Sequence, residues 1–335
     1  MSFGFLVLDL IIIYLAHINK KFIKNYSLHK LTSMQIGGPA KYFFVAKTEK
    51  KLIEAMLWAK DKKIKCKIIG EGSNIVASDK GYHGLIIQNS IKHIQTTNNK
   101  VNVGSGKNLL KFIFKLNSLG LTGMEKMAGI PGTIGGAIYG CAGAYGQEIK
   151  DCLLRVKVVD ASAQLSTSNP KAMWLTRNRC EFDYRNSIFK KNLNWVILGA
   201  EFKFKKENPK KLKKISSDII KLREQKYQPG LLCPGSFFKN IILKDLPAKT
   251  RIDLFKKIDK GKIKYGKLAS GYLLDLVGAK GVKTGKIKVA DYHGNLILNQ
   301  GGGKASDVAK IAKILKNKVR KEFGIELEEE VQYLK

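Results

Sequence analysis

Apolar and polar positions along the chain predict an ordered succession of strands and helices from about residue 25 onward. KYFFVAK (41–47) has strand character, and LIEAMLWAKDKK (52–63) places four apolar side chains on one helical face. KCKIIG (65–70) predicts a strand closed by the turn EGSN (71–74), and a loop then leads to another strand within 75–90. This succession predicts a βαββ lobe.

A second group of elements follows this lobe. Asn108 to Ser118 is predicted to form an amphipathic helix, whereas LLRVKVVDA (153–161) and NWVILGAEFKF (194–204) are predicted to be strands. A charged helix at about 211–226 is then expected to separate the two halves of the chain. The pattern as a whole is typical of a mixed helix and strand protein.

The C-terminal region is predicted to end in a helix followed by a strand. Ser306 and Asp307 are expected to cap the start of an amphipathic helix, and Gly324 is expected to end it. The last segment, IELEEEVQYL (325–334), alternates apolar and polar residues, which predicts a strand.

The chain begins with an apolar segment, MSFGFLVLDLIIIYLAHINKK. Its apolar stretch is short for a membrane span, and it lacks the positive n-region and the small-residue cleavage site of a signal peptide. A packed helix, a weak membrane-surface contact and an extension produced by an upstream start codon are three open interpretations.

The sequence GIPGTIGGAIYGCAGAYG (129–146), called the glycine-rich segment below, carries seven glycines and no charge. A membrane helix is disfavoured because each interior Gly costs a helix about 1 kcal/mol and Pro131 costs about 3 kcal/mol. A loop and turn system is favoured, in which bare main chain and its N–H groups receive the charged oxygens of a diphosphate. In the alternative interpretation, the glycines serve only tight turns and close packing.

The net charge of +34 predicts a surface that attracts polyanions, whether nucleic acid, anionic lipid or phosphorylated small molecules. Lysine is spread along the whole chain in pairs, so most of this charge is interpreted as solvated surface, and no nucleic-acid-binding motif is found. The five cysteines are widely spaced without a CxxC pair, which argues against disulfides and a zinc site. We expect a cytoplasmic protein with no metal site, no nucleic-acid partner and no stable membrane insertion.

Six blocks of sequence occur in an order typical of one enzyme family. They are NYSLHKLTSMQIGGPAKYF (25–43), IIGEGSNIVASDKGYHGLII (68–87), GLTGMEKMAGIPGTIGGAIYGCAGAYGQEI (120–149), YRNSIFK (184–190), QPGLLCPGSFFKN (228–240) and IELEEEVQYL (325–334). From about residue 25 to its end, the chain thereby resembles the UDP-N-acetylenolpyruvoylglucosamine reductases, the MurB family of peptidoglycan synthesis. Without an obvious extra segment before GSFFKN, it is similar to the shorter, type II form.

The resemblance implies an α+β protein, expected to be a monomer. Its two-lobed FAD-binding domain would be of the vanillyl-alcohol oxidase/PCMH type, and an α+β substrate-binding domain would follow. The expected divisions are an apolar extension at 1–20, an FAD-binding domain at 21–208 with lobes at about 21–88 and 89–208, and a C-terminal domain at 209–335 whose tail carries a catalytic Glu.

The family's chemistry implies reduction of the enolpyruvyl ether of a UDP-sugar, UDP-N-acetylglucosamine enolpyruvate, to UDP-N-acetylmuramate. NADPH, a co-substrate, would reduce a tightly bound FAD, and the flavin would pass hydride to the vinyl carbon. Charge then develops at the neighbouring carbon, so the site must stabilise that charge and deliver a proton.

The motif matches assign roles to individual residues. Ser236 would donate the proton, while Arg185 and Glu330 would polarise the substrate carboxylate and steady the enol form. Tyr184 and Asn240 are expected neighbours in the substrate pocket. By similarity, the backbone would contact the FAD diphosphate and its attached rings, and the cofactor-binding residues are Gly70, Gly72, Ser73, Asn74, Gly132, Thr133, Gly135, Gly136, Ala142 and Gly143.

The chain departs from the family pattern at Ile241, where the family usually has Pro, and at Gln332, where it often has Arg. His293 and Asn295 match a looser block, and packing or solvent exposure is the common fate of such a histidine. Two alternative functions are another FAD-dependent oxidoreductase of the same fold and a basic protein that binds nucleic acid or membrane. A yellow preparation would argue against the second alternative.

Overall fold

The computed structural model describes residues 22–161 and 172–335, so the predicted apolar extension at 1–20 lies outside the described residues. The chain forms two compact units with separate hydrophobic cores. Of the described residues, the first unit comprises 22–26, 40–71, 82–161 and 172–225, and the second unit comprises Ser27–Pro39, Gly72–Gly81 and Lys226–Lys335. The chain therefore passes between the two units five times.

One sheet of the first unit has four strands in the order β1-β2-β5-β3. They are β1 (Ile23–Ser27), β2 (Pro39–Ala46), β3 (Cys66–Ile69) and β5 (Tyr82–Asn89). Strands β2 and β3 both run parallel to β5, and helix α1 (Glu49–Asp61) connects β2 to β3. The Thr48 hydroxyl caps α1 by accepting the Lys51 N–H. The core between the sheet and α1 contains Leu52 and Trp58.

A second sheet of the first unit has five antiparallel strands in the order β12-β11-β13-β7-β6. They are β6 (Ile94–Thr97), β7 (Lys100–Gly104), β11 (Leu153–Asp160), β12 (Met173–Thr176) and β13 (Trp195–Lys203). Helix α2 (Leu109–Ser118) is capped by Asn108, whose side-chain oxygen accepts the Lys111 N–H at 3.0 Å. Its apolar face, which includes Phe112 and Leu116, lies in one core with strand residues of this sheet.

Further helices and strand pairs belong to the first unit. They are helices α3 (Ile134–Tyr139), α4 (Ile188–Lys191) and α5 (Pro209–Glu224), the pair β8 (Leu121–Thr122) and β14 (Lys205–Lys206), and the hairpin β9 (Gly143–Ala144) and β10 (Gln147–Glu148). Within the described residues of both units, short 3₁₀ turns occur at Leu28–Lys30, Glu125–Met127, Arg177–Cys180, Leu243–Asp245 and Lys260–Lys262.

The second unit combines short strands with three helices. The strands are β4 (Ile75–Ala77), β15 (Ile241–Ile242), β16 (Ile263–Lys264), β17 (Lys267–Leu268), β18 (Lys283–Thr284), β19 (Ile287–Val289), β20 (Ile297–Asn299) and β21 (Gln332–Leu334). The helices are α6 (Ala248–Lys257), α7 (Ser270–Leu276) and α8 (Ala305–Phe323). The predicted amphipathic character of α8 is confirmed, since its apolar residues Val308, Ile311, Leu315 and Val319 are all buried in one core.

The compact units divide the chain differently from the expected boundary at residue 209. Helix α5 belongs to the first unit, where a buried relay of hydrogen bonds runs from the Asn117 amide to the Ser216 hydroxyl and on to the Glu125 carbonyl oxygen. The inserts 27–39 and 72–81 belong to the second unit, where the Asn299 amide donates to the Met34 carbonyl oxygen at 2.8 Å. These contacts join residues far apart in the sequence, which explains why a linear boundary could not describe them.

The predicted cap of the last helix is wrong. Helix α8 begins at Ala305, and the Asp79 carboxylate accepts the N–H groups of Ala305 at 2.7 Å and Ser306 at 3.0 Å. An acid from the insert 72–81 thus supplies the cap that local sequence was expected to supply. The predicted strand at 325–334 is shorter than expected, because only Gln332–Leu334 pairs with β4.

Among residues 22–161 and 172–335, no helix has both the length and the apolar character that crossing a membrane would require.

Candidate active site

The glycine-rich segment forms a turn, helix α3, strand β9 and the turn that leads into β10. Gly132 has φ +111°, a conformation that a residue with a Cβ rarely adopts. Thr133 caps α3, and its Oγ1 accepts the Gly136 N–H at 3.2 Å. The segment therefore consists of turns and one short helix, as the loop interpretation expected.

Three of the N–H groups assigned to a diphosphate have partners within the protein, and one of them is that of Ala142, which donates to the Ala137 carbonyl oxygen at 2.8 Å. Gly135 donates to the Ser105 carbonyl oxygen at 2.7 Å, and Gly136 donates to Thr133 Oγ1. The expectation of N–H donation by these two glycines is therefore corrected. The feature of these two glycines that still fits the expectation is that they have no side chain.

The space around each glycine shows whether a Cβ there would meet packed atoms or open space. At Gly135 it would lie 3.0 Å from Ser105 Cβ, so a side chain there would press against Ser105. At Gly136, which is exposed, the nearest atom is Thr133 Oγ1 at 3.5 Å, so bare main chain faces open space. At Gly70 a Cβ would lie 2.5 Å from Thr133 Oγ1, which brings two predicted FAD-binding positions together.

The predicted turn at 70–74 is shared between the two compact units, since Gly70 and Glu71 belong to the first and Gly72, Ser73 and Asn74 to the second. In the first unit, the Asn108 amide donates to both carboxylate oxygens of Glu71, at 3.1 and 2.9 Å. This contact fixes the start of the turn beside the helix that precedes the glycine-rich segment.

Tyr184 and Arg185 occupy the tip of a tight turn in the first unit. Asp183 and Asn186 close the turn by exchanging two backbone hydrogen bonds, of 3.1 and 3.0 Å. Arg185 has φ +54° there, a conformation that is uncommon for a residue with a side chain. The guanidinium carbon of Arg185 lies 5.6 Å from the centre of the Tyr184 ring, within cation–π range.

The Arg185 side chain reaches the glycine-rich segment. Its Nη2 donates to the Gly143 carbonyl oxygen at 3.1 Å, and its Nη1 donates to the Cys141 carbonyl oxygen at 3.4 Å. The Lys190 ammonium donates to the Arg185 carbonyl oxygen at 2.7 Å. The structure thus brings the predicted catalytic arginine against Gly143, one of the predicted FAD-binding residues.

Glu125 anchors the hairpin that carries Gly143, and sequence reasoning missed this role. Its carboxylate is 6 % exposed and accepts the Gly123 N–H at 2.7 Å, the Gln147 amide at 2.8 Å and the Thr122 hydroxyl at 3.1 Å. Burial raises the pKa of this carboxyl, but the hydrogen bonds outweigh burial and the pKa is lowered overall. The group is therefore a stable carboxylate at neutral pH.

Replacing Glu125 by Gln should lower the melting temperature at neutral pH by several degrees. An amide presents an N–H₂ group to donors that need an acceptor, which costs about 1–3 kcal/mol. A carboxyl with a lowered folded-state pKa stabilises the fold above its unfolded-state pKa, and this contribution disappears as the pH falls through the folded-state value. The difference in melting temperature between Glu125→Gln and wild type should therefore become smaller as the pH falls below 4.5, the usual pKa of a glutamate carboxyl.

Thermal unfolding followed by circular dichroism across this pH range measures the effect. Glu148→Gln in the same hairpin is the control, because that carboxylate makes a partly exposed ion pair with Lys150. If Glu125→Gln lowered the melting temperature equally at neutral and acid pH, the stabilising role of the Glu125 carboxylate would be contradicted.

In the second unit, the turn 72–74 is tied to the C-terminal tail. Gly72 has φ +67°, and a Cβ there would overlap the Leu31 carbonyl oxygen. The Asn74 amide donates to the Glu330 carbonyl oxygen at 3.0 Å, and Gln332 donates its N–H to the Asn74 carbonyl oxygen at 2.9 Å. Ser73 accepts the Ser33 hydroxyl at its carbonyl oxygen. The structure thus places a predicted FAD-binding residue, Asn74, beside the predicted catalytic Glu330.

The GSFFKN block is held on two sides. Phe237 and Phe238 are almost fully buried, and the Asn295 side chain bonds both the N–H and the carbonyl oxygen of Phe238, at 2.8 and 2.9 Å. On the other side, Glu330 donates its N–H to the Phe237 carbonyl oxygen at 2.8 Å. The main chain next to Ser236 is therefore joined directly to Glu330.

Asn240 and His293 lie in the same unit. The Asn240 side-chain oxygen accepts the Ser270 N–H at 3.4 Å, and Asn240 is exposed. Burial lowers the pKa of His293 to about 4, and its Nδ1 accepts the Asn295 N–H at 3.0 Å. His293 is therefore neutral at pH 7 and packs to position Asn295, which is the fate expected for it.

Tyr227 is a neighbour of Ser236 that no sequence signal identified. The Tyr227 hydroxyl and Ser236 Oγ lie 2.7 Å apart, and either can be the donor. The Lys226 ammonium lies 4.9 Å from the centre of the Tyr227 ring.

Comparisons with known proteins identify the family. Residues 228–334 match the family model described as UDP-N-acetylenolpyruvoylglucosamine reductase, C-terminal domain, and residues 40–168 match the one described as FAD binding domain. A UDP-N-acetylenolpyruvoylglucosamine reductase from Solibacter usitatus is 37% identical over 90% of this chain and 93% of its own length. The chain belongs to the UDP-N-acetylenolpyruvoylglucosamine reductase family.

Other members of the UDP-N-acetylenolpyruvoylglucosamine reductase family agree with this placement. The enzyme of that name from Caldicellulosiruptor bescii is 33% identical over 96% of this chain and 93% of its own. The crystal structure of UDP-N-acetylenolpyruvylglucosamine reductase (MurB) from Thermus caldophilus is similar with a TM-score of 0.69 and 24% identity, covering 92% of this chain and 97% of that one. The predicted family and the predicted α+β, FAD-binding fold class are thereby confirmed.

Proposed function

We propose that this chain catalyses the NADPH-dependent, FAD-mediated reduction of UDP-N-acetylglucosamine enolpyruvate to UDP-N-acetylmuramate in peptidoglycan synthesis. The observation that carries the proposal is the relative from Solibacter usitatus, 37% identical over 90% of this chain and named for this reductase. The hydrogen bond between Glu330 and Phe237 supports it, because it joins the two blocks to which the proton donor and the acidic residue are assigned.

The residues of the glycine-rich segment fit a bound FAD. The exposed main chain at Gly136 leaves open the space that a Cβ would fill, and the match of residues 40–168 to an FAD-binding family supports the same assignment. FAD would contact Gly70, Gly72, Ser73, Asn74, Gly132, Thr133, Gly135, Gly136, Ala142 and Gly143. When bound, it would supply the hydride that NADPH provides.

Three side chains of this protein would act on the substrate. The Ser236 hydroxyl would give its proton to the carbon that becomes basic after hydride addition, because only a strongly basic carbon can deprotonate an alcohol. The Arg185 guanidinium is a permanent cation with a planar fork suited to a carboxylate. Glu330 would steady the enol form, and Tyr184 and Asn240 would contact the sugar nucleotide.

A coupled assay tests the proposal. Purified protein should be yellow, should consume NADPH only when the enolpyruvyl UDP-sugar is present, and should form UDP-N-acetylmuramate. NADPH oxidation that depends on oxygen and ignores the UDP-sugar would instead indicate an oxidase of the same fold. A colourless, folded preparation that cannot be reconstituted with FAD would overturn the proposal.

We also infer that the protein works as a monomer of the short, type II form in the cytoplasm, on small molecules and not on nucleic acid. All five cysteines are free thiols, which fits a reducing compartment. Light scattering at increasing salt concentration tests the monomer, and a gel-shift titration with nucleic acid tests whether the charge of +34 attracts that partner.

A further inference from the structure

We propose that Tyr227 is a positioning residue that orients the Ser236 hydroxyl and returns a proton to it after each turnover. The inference rests on the proposed function, in which Ser236 is the proton donor. It concerns a residue that lies outside the six sequence blocks and to which no role was assigned.

The contact between the two hydroxyls is short and well supported. Tyr227 Oη lies 2.7 Å from Ser236 Oγ, the usual separation of two hydroxyl oxygens in a hydrogen bond. Ser236 is fixed by its bridge to Leu296 and by the buried Phe237 that follows it. Its hydroxyl can therefore be oriented by a partner without moving the main chain.

A cation lies over the Tyr227 ring, and the main chain before Tyr227 accepts a separate hydrogen bond. The Lys226 ammonium lies 4.9 Å from the ring centre, and the Lys226 carbonyl oxygen accepts the Tyr292 hydroxyl at 3.2 Å. Tyr227 itself is half-buried, so one side of the residue remains in reach of solvent.

Proton transfer leaves Ser236 in need of a new proton. When the Oγ–H bond breaks, its proton forms the new C–H bond of the product, and an alkoxide remains on Oγ. The Tyr227 O–H can then give its proton to Oγ, because a phenol is a far stronger acid than an aliphatic alcohol. Water supplies a proton to the resulting phenolate, so each cycle consumes one proton from solvent and no electrons.

The same contact also orients the donor before the reaction. If Ser236 donates the hydrogen bond to Tyr227, the serine proton points at Tyr227 and not at the substrate. If Tyr227 donates to Ser236, the serine proton is free to point at the substrate. Donation from Tyr227 to Ser236 is therefore the productive arrangement. It also strengthens as charge develops on Oγ, since hydrogen bonds to ionised groups are about twice as strong as neutral ones.

Rapid-mixing kinetics of Tyr227→Phe test the inference. NADPH should reduce the bound flavin at the wild-type rate, but reoxidation by the enolpyruvyl UDP-sugar should slow by about 10- to 100-fold. Tyr292→Phe is the matched control, because it removes a neighbouring tyrosine hydroxyl that bonds the main chain of Lys226 and not Ser236. The control should stay within about twofold of wild type.

Two further measurements distinguish a proton relay from a structural role. In a Ser236→Ala background, Tyr227→Phe should slow reoxidation by less than a further factor of about two. The reason is that the effects of residues that act as one unit are not additive. In mixtures of H₂O and D₂O, the reoxidation rate of wild type should vary non-linearly with deuterium content, as expected when two protons move, and that of Tyr227→Phe should vary linearly.

Three results would overturn the inference. The first is an equal reoxidation rate in wild type and Tyr227→Phe. The second is an equal loss of reoxidation rate in Tyr227→Phe and Tyr292→Phe. The third is a loss in the Ser236→Ala background that is additive, and each of the three would exclude a relay. Failure of the proposed function has a different signature, because wild-type reduced flavin would then not be reoxidised by the UDP-sugar at all.

Discussion

Ser236→Ala should slow reoxidation of the reduced flavin by the enolpyruvyl UDP-sugar by about 10²- to 10⁴-fold, the range in which a general acid contributes. The substitution removes one hydroxyl and leaves its surroundings in place. Phe237 still donates its N–H to the Asn295 carbonyl oxygen at 3.0 Å, and Glu330 still donates to the Phe237 carbonyl oxygen. FAD content and the rate of flavin reduction by NADPH should therefore match wild type.

Stopped-flow absorbance separates the two half-reactions and so locates the defect. Ser306→Ala is a suitable control in the same unit, because Ser306 is exposed at the start of α8, where its N–H and not its hydroxyl bonds Asp79. Equal turnover in Ser236→Ala and wild type would remove Ser236 from the mechanism. A loss confined to the reductive half-reaction would assign the serine to NADPH binding instead.

Gly136→Leu should abolish retention of FAD, with affinity reduced by at least about 100-fold. Apart from its chain neighbours and the backbone of its own helix, Thr133 Oγ1 is the only atom of the described residues within 4 Å of a Cβ at this position, so a leucine side chain would extend into the space proposed for the cofactor. The apoprotein should be at least as stable as wild-type apoprotein, because Leu favours an exposed helical position over Gly by about 0.8 kcal/mol. Loss of flavin would thus come without loss of fold.

Fluorescence titration of apoprotein with FAD measures the affinity, and thermal unfolding of the same samples measures the fold. Gly135→Ala provides the contrast, because its Cβ would meet Ser105 at 3.0 Å and should lower the melting temperature of the apoprotein. A fully yellow Gly136→Leu protein would show that the cofactor lies elsewhere. An unfolded Gly136→Leu protein would contradict the open space at this glycine.

Regular elements could be predicted because their patterns are local. The helix expected at 52–63 forms at Glu49–Asp61, and the charged helix expected at 211–226 forms at Pro209–Glu224, with Pro209 in its first turn. The strand expected at 194–204 forms at Trp195–Lys203. Periodicity fixes which residues face a core, whereas ends of elements depend on single hydrogen bonds and shift by one to three residues.

The contacts that build the site could not be predicted in the same way. Glu125 meets Gln147, Arg185 meets Gly143, and Phe238 meets Asn295 through loops that have no period. The glycine-rich segment shows the limit most clearly. Its composition indicated bare main chain, but only the structure distinguishes Gly135, which packs against Ser105, from Gly136, which faces open space.

The division of the chain between the two units limits how this enzyme can be recombined. A gene fragment starting at residue 209 would lack β4, the strand that pairs with β21, and Asp79, whose carboxylate caps α8. It would also lack Met34 and Val76, which belong to the same core as α8. If the C-terminal half were exchanged between related reductases by one crossover, the segments 27–39 and 72–81 would therefore come from a different parent than the rest of their unit. Functional chimeras need the segments 27–39 and 72–81 transplanted from the same parent.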